Sequence, residues 1–186
     1  MNIAIIGWGS LIWEPKSLRT RTGWYCDGPR LPLELARISK DGRLTLVIHP
    51  GSEEQTTYWA LSEYTTLRQA IFNLRKREGS PKKRVGLLKA GDTNRCPIEK
   101  ELSVWLKTKP GIDAVVWTDL RTNWLKKRGC LFTCEDALRY LAELERRGWE
   151  ATECLNRTWE YLRNIPAQIQ PQVRKILHQE GRDDHT

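Results

Sequence analysis

Ile3-Ala4-Ile5-Ile6 is a continuous apolar run, rich in β-branched residues and ended by Gly7, which predicts a buried strand near the middle of a sheet. Leu31-Pro32-Leu33-Glu34-Leu35 alternates loosely, and Leu44-Thr45-Leu46-Val47-Ile48 follows the turn signal Lys40-Asp41-Gly42, so the two are expected to pair as a hairpin. Thr56-Thr57-Tyr58-Trp59-Ala60-Leu61 supplies the β-branched and aromatic residues that suit a pleated surface. Residues 85–88 and 112–117 are two further expected strands, with a polar loop and a short helix over residues 98–107 between them.

The apolar period changes to the helical one over residues 66–78, where Leu67, Ala70, Ile71 and Leu74 fall at i, i+3, i+4 and i+7, and Gly79-Ser80-Pro81 stops the helix. From Thr133 the texture changes again. Thr133-x-x-Asp136 resembles a capping box with Asp in place of Glu, and Leu138, Leu141, Ala142 and Leu144 follow at helical spacing. A second helix is expected over residues 151–163; Pro166 and Pro171 break the pattern before a short one over 173–178, and the tail from Gly181 reads as disordered. This order of elements predicts an α+β fold: a mixed, mostly antiparallel sheet with one embedded helix, then a C-terminal helical extension. The sheet domain is drawn at residues 1–130. Residues 131–186 hold too little apolar material for a core of their own and are expected to pack on it as one structural unit.

Composition narrows the function classes. With 186 residues the chain is long enough for one real core, and no apolar run approaches the ~20 residues of a membrane span. The first apolar stretch starts at Met1 with no basic flank and no small-residue cleavage pattern, so the expected setting is cytoplasmic, with no membrane partner. Cysteines 26, 96, 130, 134 and 154 are an odd set that fits reduced thiols; Cys130 and Cys134 lack the two further ligands of a closed zinc site, and no metal is expected. The net charge of +8 is uneven: residues 1–133 carry 23 Lys and Arg against 13 Asp and Glu, while residues 134–186 carry 8 against 10. The densest clusters, residues 75–84 and 121–128, can bind nucleic acid phosphates or draw a small anion into a cleft, and are more often a solvated face.

Two places carry candidate chemistry. Gly7-Trp8-Gly9-Ser10 leaves the first strand, and its glycines permit unusual backbone angles that let consecutive N–H groups share one anion-binding concavity. It is neither a dinucleotide fingerprint nor a phosphate loop, and the alternative is an ordinary glycine turn. Glu78 lies seven residues after Ile71 and eleven after Leu67, within roughly 20° of both at ~100° per residue, so a carboxylate ends the apolar stripe. Burial and the helix C-terminus would raise its pKa and make it a plausible general base, opposed by Arg75, Arg77 or Lys82. The alternative is a stripe that leaves the core by its last turn, with Glu78 meeting a neighbouring Arg. His49 has no Ser or Cys motif beside it and reads as structural. Of the nine tryptophans, Trp59, Trp105 and Trp117 lie within expected elements, whereas Trp8, Trp13 and Trp124 are free to line a cleft.

Taken together, the strand with Gly7-Trp8-Gly9-Ser10-Leu11-Ile12-Trp13, then Tyr58-Trp59-Ala60-Leu61, then Leu74-Arg75-Lys76-Arg77-Glu78, resembles the γ-glutamylcyclotransferase-like superfamily over about residues 1–120, with ChaC-type members nearest in texture. The resemblance implies a small barrel-like sheet and an enzyme that cyclises a γ-glutamyl peptide or amine to 5-oxoproline, releasing the amine without a cofactor. It implies Glu78 as catalytic acid/base and Trp8, Gly9, Ser10 and Leu11 as the substrate-binding loop. The family's loop Tyr is Trp8 here, whose indole donates a hydrogen bond but does not accept one. The helical extension has no counterpart in the family. Two other classes compete: a non-catalytic small-molecule-binding or interaction protein keeping this fold, and, as the lesser reading, a nucleic-acid-binding module.

Overall fold

The computed structural model describes residues 1–79, 84–92 and 96–182; Ser80 and Pro81 of the expected helix stop, Lys82 and Lys83 of the basic cluster, His185 and the end of the tail lie outside them. In chain order the elements are β1 (Ile3–Gly7), α1 (Ser10–Trp13), β2 (Arg30–Ile38), β3 (Leu44–Ile48), β4 (Glu54–Thr56), β5 (Tyr58–Leu61), α2 (Leu67–Glu78), β6 (Val85–Lys89), α3 (Pro97–Lys107), β7 (Ala114–Thr118), α4 (Trp124–Arg128), α5 (Cys134–Arg146), α6 (Thr152–Asn164) and α7 (Gln172–Gln179). The fold is α+β. No described helix is long and apolar enough to cross a membrane.

Contacts divide the chain into two compact units, Met1–Leu31 with Thr56–Leu120, and Pro32–Gln55 with Arg121–Thr186. This partition differs from a boundary near residue 130, because the hairpin strands belong with the C-terminal helices. In the first unit the strand order is β5-β1-β7-β6; β1 and β7 are parallel and both edge pairings are antiparallel. Every residue of β1 and β7 is buried, as their unbroken apolar runs require of central strands. Ile3, Ile5 and Val116 face α2 and pack with its Ala70 and Leu74. On the opposite face the Trp117 indole lies over Gly86, where a Cβ would come within 2.0 Å of the ring. Thr66 caps α2 by accepting from the Gln69 N–H, and Gly79 closes it at φ 57°.

In the second unit the strand order is β3-β2-β4, with an irregularity between Glu34 and Arg37. The helices are tied to this sheet by buried polar groups. Tyr161 Oη accepts from the Leu46 N–H at 3.2 Å, and Glu34 accepts from the N–H groups of Gln172 (2.8 Å) and Val173 (3.4 Å) at the start of α7. Asn123 pairs with both backbone groups of Ile38, at 3.0 and 2.7 Å.

Two expectations are corrected. The run over residues 56–61 is not one strand: buried Thr57 bonds through its N–H and hydroxyl to the Pro29 carbonyl, at 3.1 and 2.7 Å, so that β4 and β5 join different sheets. The sheets are open rather than barrel-like, because the chain divides its strands four and three.

Candidate functional site

The topology of the first unit brings chemistry to one end of its sheet. β5 ends at Leu61, beside Ala4 near the start of β1, while β6 begins at Val85, beside Thr118 at the end of β7. Helix α2 spans the sheet between those points, so its last turn arrives at the carboxyl ends of the two parallel strands. The loop after β1 starts at that same end. Gly9 has φ 62° and ψ −146°, a conformation that side chains resist, and it turns the chain directly into α1. Gly7 serves a different purpose: a Cβ there would lie 2.4 Å from the Trp24 ring, so its missing side chain is the seat of that indole.

Arg77 joins the loop to Glu78. Its Nη1 donates to Glu78 Oε1 at 2.9 Å, and its Nη2 donates to Ser10 Oγ at 3.0 Å and to the Glu14 carbonyl at 2.8 Å. Both ionic side chains are sequestered, with 8% of Arg77 and 12% of Glu78 exposed. Burial pushes the Glu78 carboxyl above the usual carboxylate range, opposed by the Arg77 charge and hydrogen bond and by Lys16. Glu78 is therefore both buried and paired, combining the two alternatives left open by its helical phase. Asn73 of α2 holds the same connection, accepting from the Arg19 N–H and donating to the Ser17 carbonyl, each at 2.8 Å.

Ser10 and Glu78, 68 positions apart, are thus brought into one hydrogen-bonded group. Leu11 packs beneath it in the core with Ala70 and Leu74, and Trp8 is buried. Trp59 is not part of this group. It pairs with Ile6 on the sheet face away from α2, donates to Asp27 at 2.7 Å, and stacks on Tyr25 (4.5 Å) and against Trp105 (5.4 Å), with the Lys109 ammonium over both indoles. Trp124 lies fully buried in the second unit, donating to Asp136, and His49 is held there by Ser52 at 3.1 Å and Phe132, with burial lowering its pKa. Within the basic cluster at 121–128, Arg128 is taken up by Glu143, at 2.7 and 2.9 Å.

A cavity of about 1010 Å³ lined by Tyr64, Leu67, Ile71, Phe72 and Arg75 lies along α2, and one of about 420 Å³ beside it is lined by Lys16, Arg19, Asn73 and Lys76. Neither is lined by Glu78 or by residues 9–11. The buried Ser10–Arg77–Glu78 grouping is the candidate site, since it joins a titratable carboxylate to hydrogen-bond donors. The bridge from Arg77 to Ser10 and the seat of Trp24 on Gly7 were not legible in the sequence, because each joins residues far apart in the chain. Among the described residues no group of acidic, His and Cys side chains could hold a metal ion. The chain matches no family model, no curated protein and no solved structure.

Proposed function

We propose that the protein is a γ-glutamylcyclotransferase-like enzyme that converts a small γ-glutamyl peptide or amine to 5-oxoproline and the free amine. The observation that carries this reading is the Arg77 bridge, which ties a buried carboxylate of raised proton affinity to the Ser10 hydroxyl of the glycine loop. The resemblance of Trp8 to Leu11, Trp59 and Glu78 to the family's motifs supports it independently, and the odd set of five thiols supports a cytoplasmic setting.

In this reaction Glu78 takes a proton from the substrate ammonium. The freed amine attacks its own γ-carbonyl carbon, forming the ring C–N bond and placing charge on the oxygen. Collapse of that oxyanion breaks the bond to the leaving amine, which receives the proton from Glu78, and the extra proton on the ring nitrogen then passes through Glu78 to the amine, which departs as its ammonium. Because attack is intramolecular, the protein's work is selection of the bent conformer, proton transfer and oxyanion stabilisation. The backbone N–H groups of residues 9–11 receive the α-carboxylate or the oxyanion, Arg77 holds Glu78 in place, and Trp8 walls the loop.

The test is 5-oxoproline release from a panel of γ-glutamyl compounds by the wild type and Glu78→Gln. The amide keeps the shape and removes the base, so turnover should fall ~100-fold or more while ligand binding survives. Release unchanged in Glu78→Gln, or no release from any compound by the wild type, defeats the proposal.

A further inference from the structure

The carboxyl ends of β1 and β7 hold a polar group that has no part in the proposed reaction. Thr118, the last residue of β7, is 6% exposed, and its Oγ1 is buried without a hydrogen-bond partner among the described residues. An orphaned buried hydroxyl is costly, and Thr is not needed there for packing, since Val has the same shape.

Its placement is specific. Val116 packs against α2, and strand alternation puts Thr118 on the same face. Continuing the β1–β7 register, Ile3 with Ala114 through Ile6 with Trp117, sets Thr118 beside Gly7, the seat of the Trp24 ring. On its other side Thr118 pairs with Val85 at the start of β6. The hydroxyl therefore shares one end and one face of the sheet with the loop that carries Ser10 and with the last turn of α2, which carries Arg77 and Glu78.

We infer that Thr118 is a substrate-binding group of this site, its hydroxyl donating to a carboxylate or carbonyl oxygen of the γ-glutamyl moiety beside the Trp24 ring. The inference rests on the cyclotransferase reading and extends it to a residue outside the motifs that suggested it. Binding completes a hydrogen bond that the fold leaves open at Thr118, so the ligand gains what folding forgoes.

Thr118→Val and Thr118→Ser are compared with the wild type for 5-oxoproline release, KM and kcat, and thermal unfolding. Thr118→Val should lower kcat/KM roughly ten- to hundredfold, the loss expected of one hydrogen bond to a charged or polarised oxygen. Thr118→Ser should retain most of it. Because no partner among the described residues is lost, Thr118→Val should melt at or above the wild-type temperature, which a structural hydroxyl would not allow. Unchanged kcat/KM in Thr118→Val overturns the assignment while leaving the reaction intact. A lower melting temperature overturns it too, by showing that the hydroxyl is bonded within the fold, and Thr118→Ser then reports whether activity follows stability alone. Absence of wild-type release removes the reaction and, with it, this role.

Discussion

Replacing Arg77 by Met keeps an apolar stem of similar length and removes the guanidinium, leaving Glu78 without the cationic hydrogen-bond donor that pairs with it. Both side chains are nearly nine-tenths buried or more, so water screens the pair little, and removing one partner of such a pair costs about 3–5 kcal/mol. The bonds from Arg77 to Ser10 and to the Glu14 carbonyl are lost as well, but those acceptors can turn to water at about 1–2 kcal/mol together. The loss has a definite pH dependence. Burial already holds the folded pKa of Glu78 above its unfolded value of 4.5, so the protonated form is the one folding favours, and the contribution present below pH 4.5 is lost as pH rises through the folded pKa. Deleting Arg77 removes influences that lower that pKa, so the decline extends further and grows larger. Arg77→Met should therefore be mildly destabilised at pH 4 and strongly at pH 8, where the melting temperature falls by roughly 6–20 °C. Adding Glu78→Gln should restore most of the loss at pH 8, giving a coupling of about 2 kcal/mol or more in a double-mutant cycle measured by denaturant unfolding. Additive losses, or an Arg77→Met penalty independent of pH, would refute the buried-pair account.

Gly86→Ala, on edge strand β6, forces a Cβ to within 2.0 Å of the ring of Trp117 from the central strand β7, and should cost about 1–3 kcal/mol in chemical unfolding; full stability would mean that the indole does not rest there. Glu34 is buried and its carboxyl is raised by burial, against the Leu35, Gln172 and Val173 N–H groups that it accepts from, so wild-type stability should decline relative to Glu34→Gln as pH rises above 4.5. A gap constant from pH 4 to 8 would count against that sign. Glu34→Ala should speed amide exchange at Gln172 and Val173, with a loss of about 1–2 kcal/mol at the capped end of α7.

Local pattern alone determined much of this protein. The apolar run at β1, the period-3.6 stripe of α2, and the Thr133 cap, which accepts from the Asp136 N–H at 3.1 Å, are properties of neighbouring residues, and each forms where its spacing requires. The phase of Glu78 on the α2 stripe was legible for the same reason, because a helix fixes the direction of every side chain along it. Tertiary structure decided what depends on distant partners. Whether residues 54–61 form one strand or two turned on a bond from Thr57 to Pro29, 28 positions away. Gly7 reads in sequence as part of a glycine loop or turn, but only the arrival of Trp24 makes it a seat for a ring. Arg77, one of several basic residues in a row, becomes the bridge between Ser10 and Glu78 because the crossover of α2 delivers its last turn to the end of β1. Thr118 likewise acquires meaning only from the parallel register of β7 with β1, since pairing between strands more than a hundred residues apart leaves no local trace.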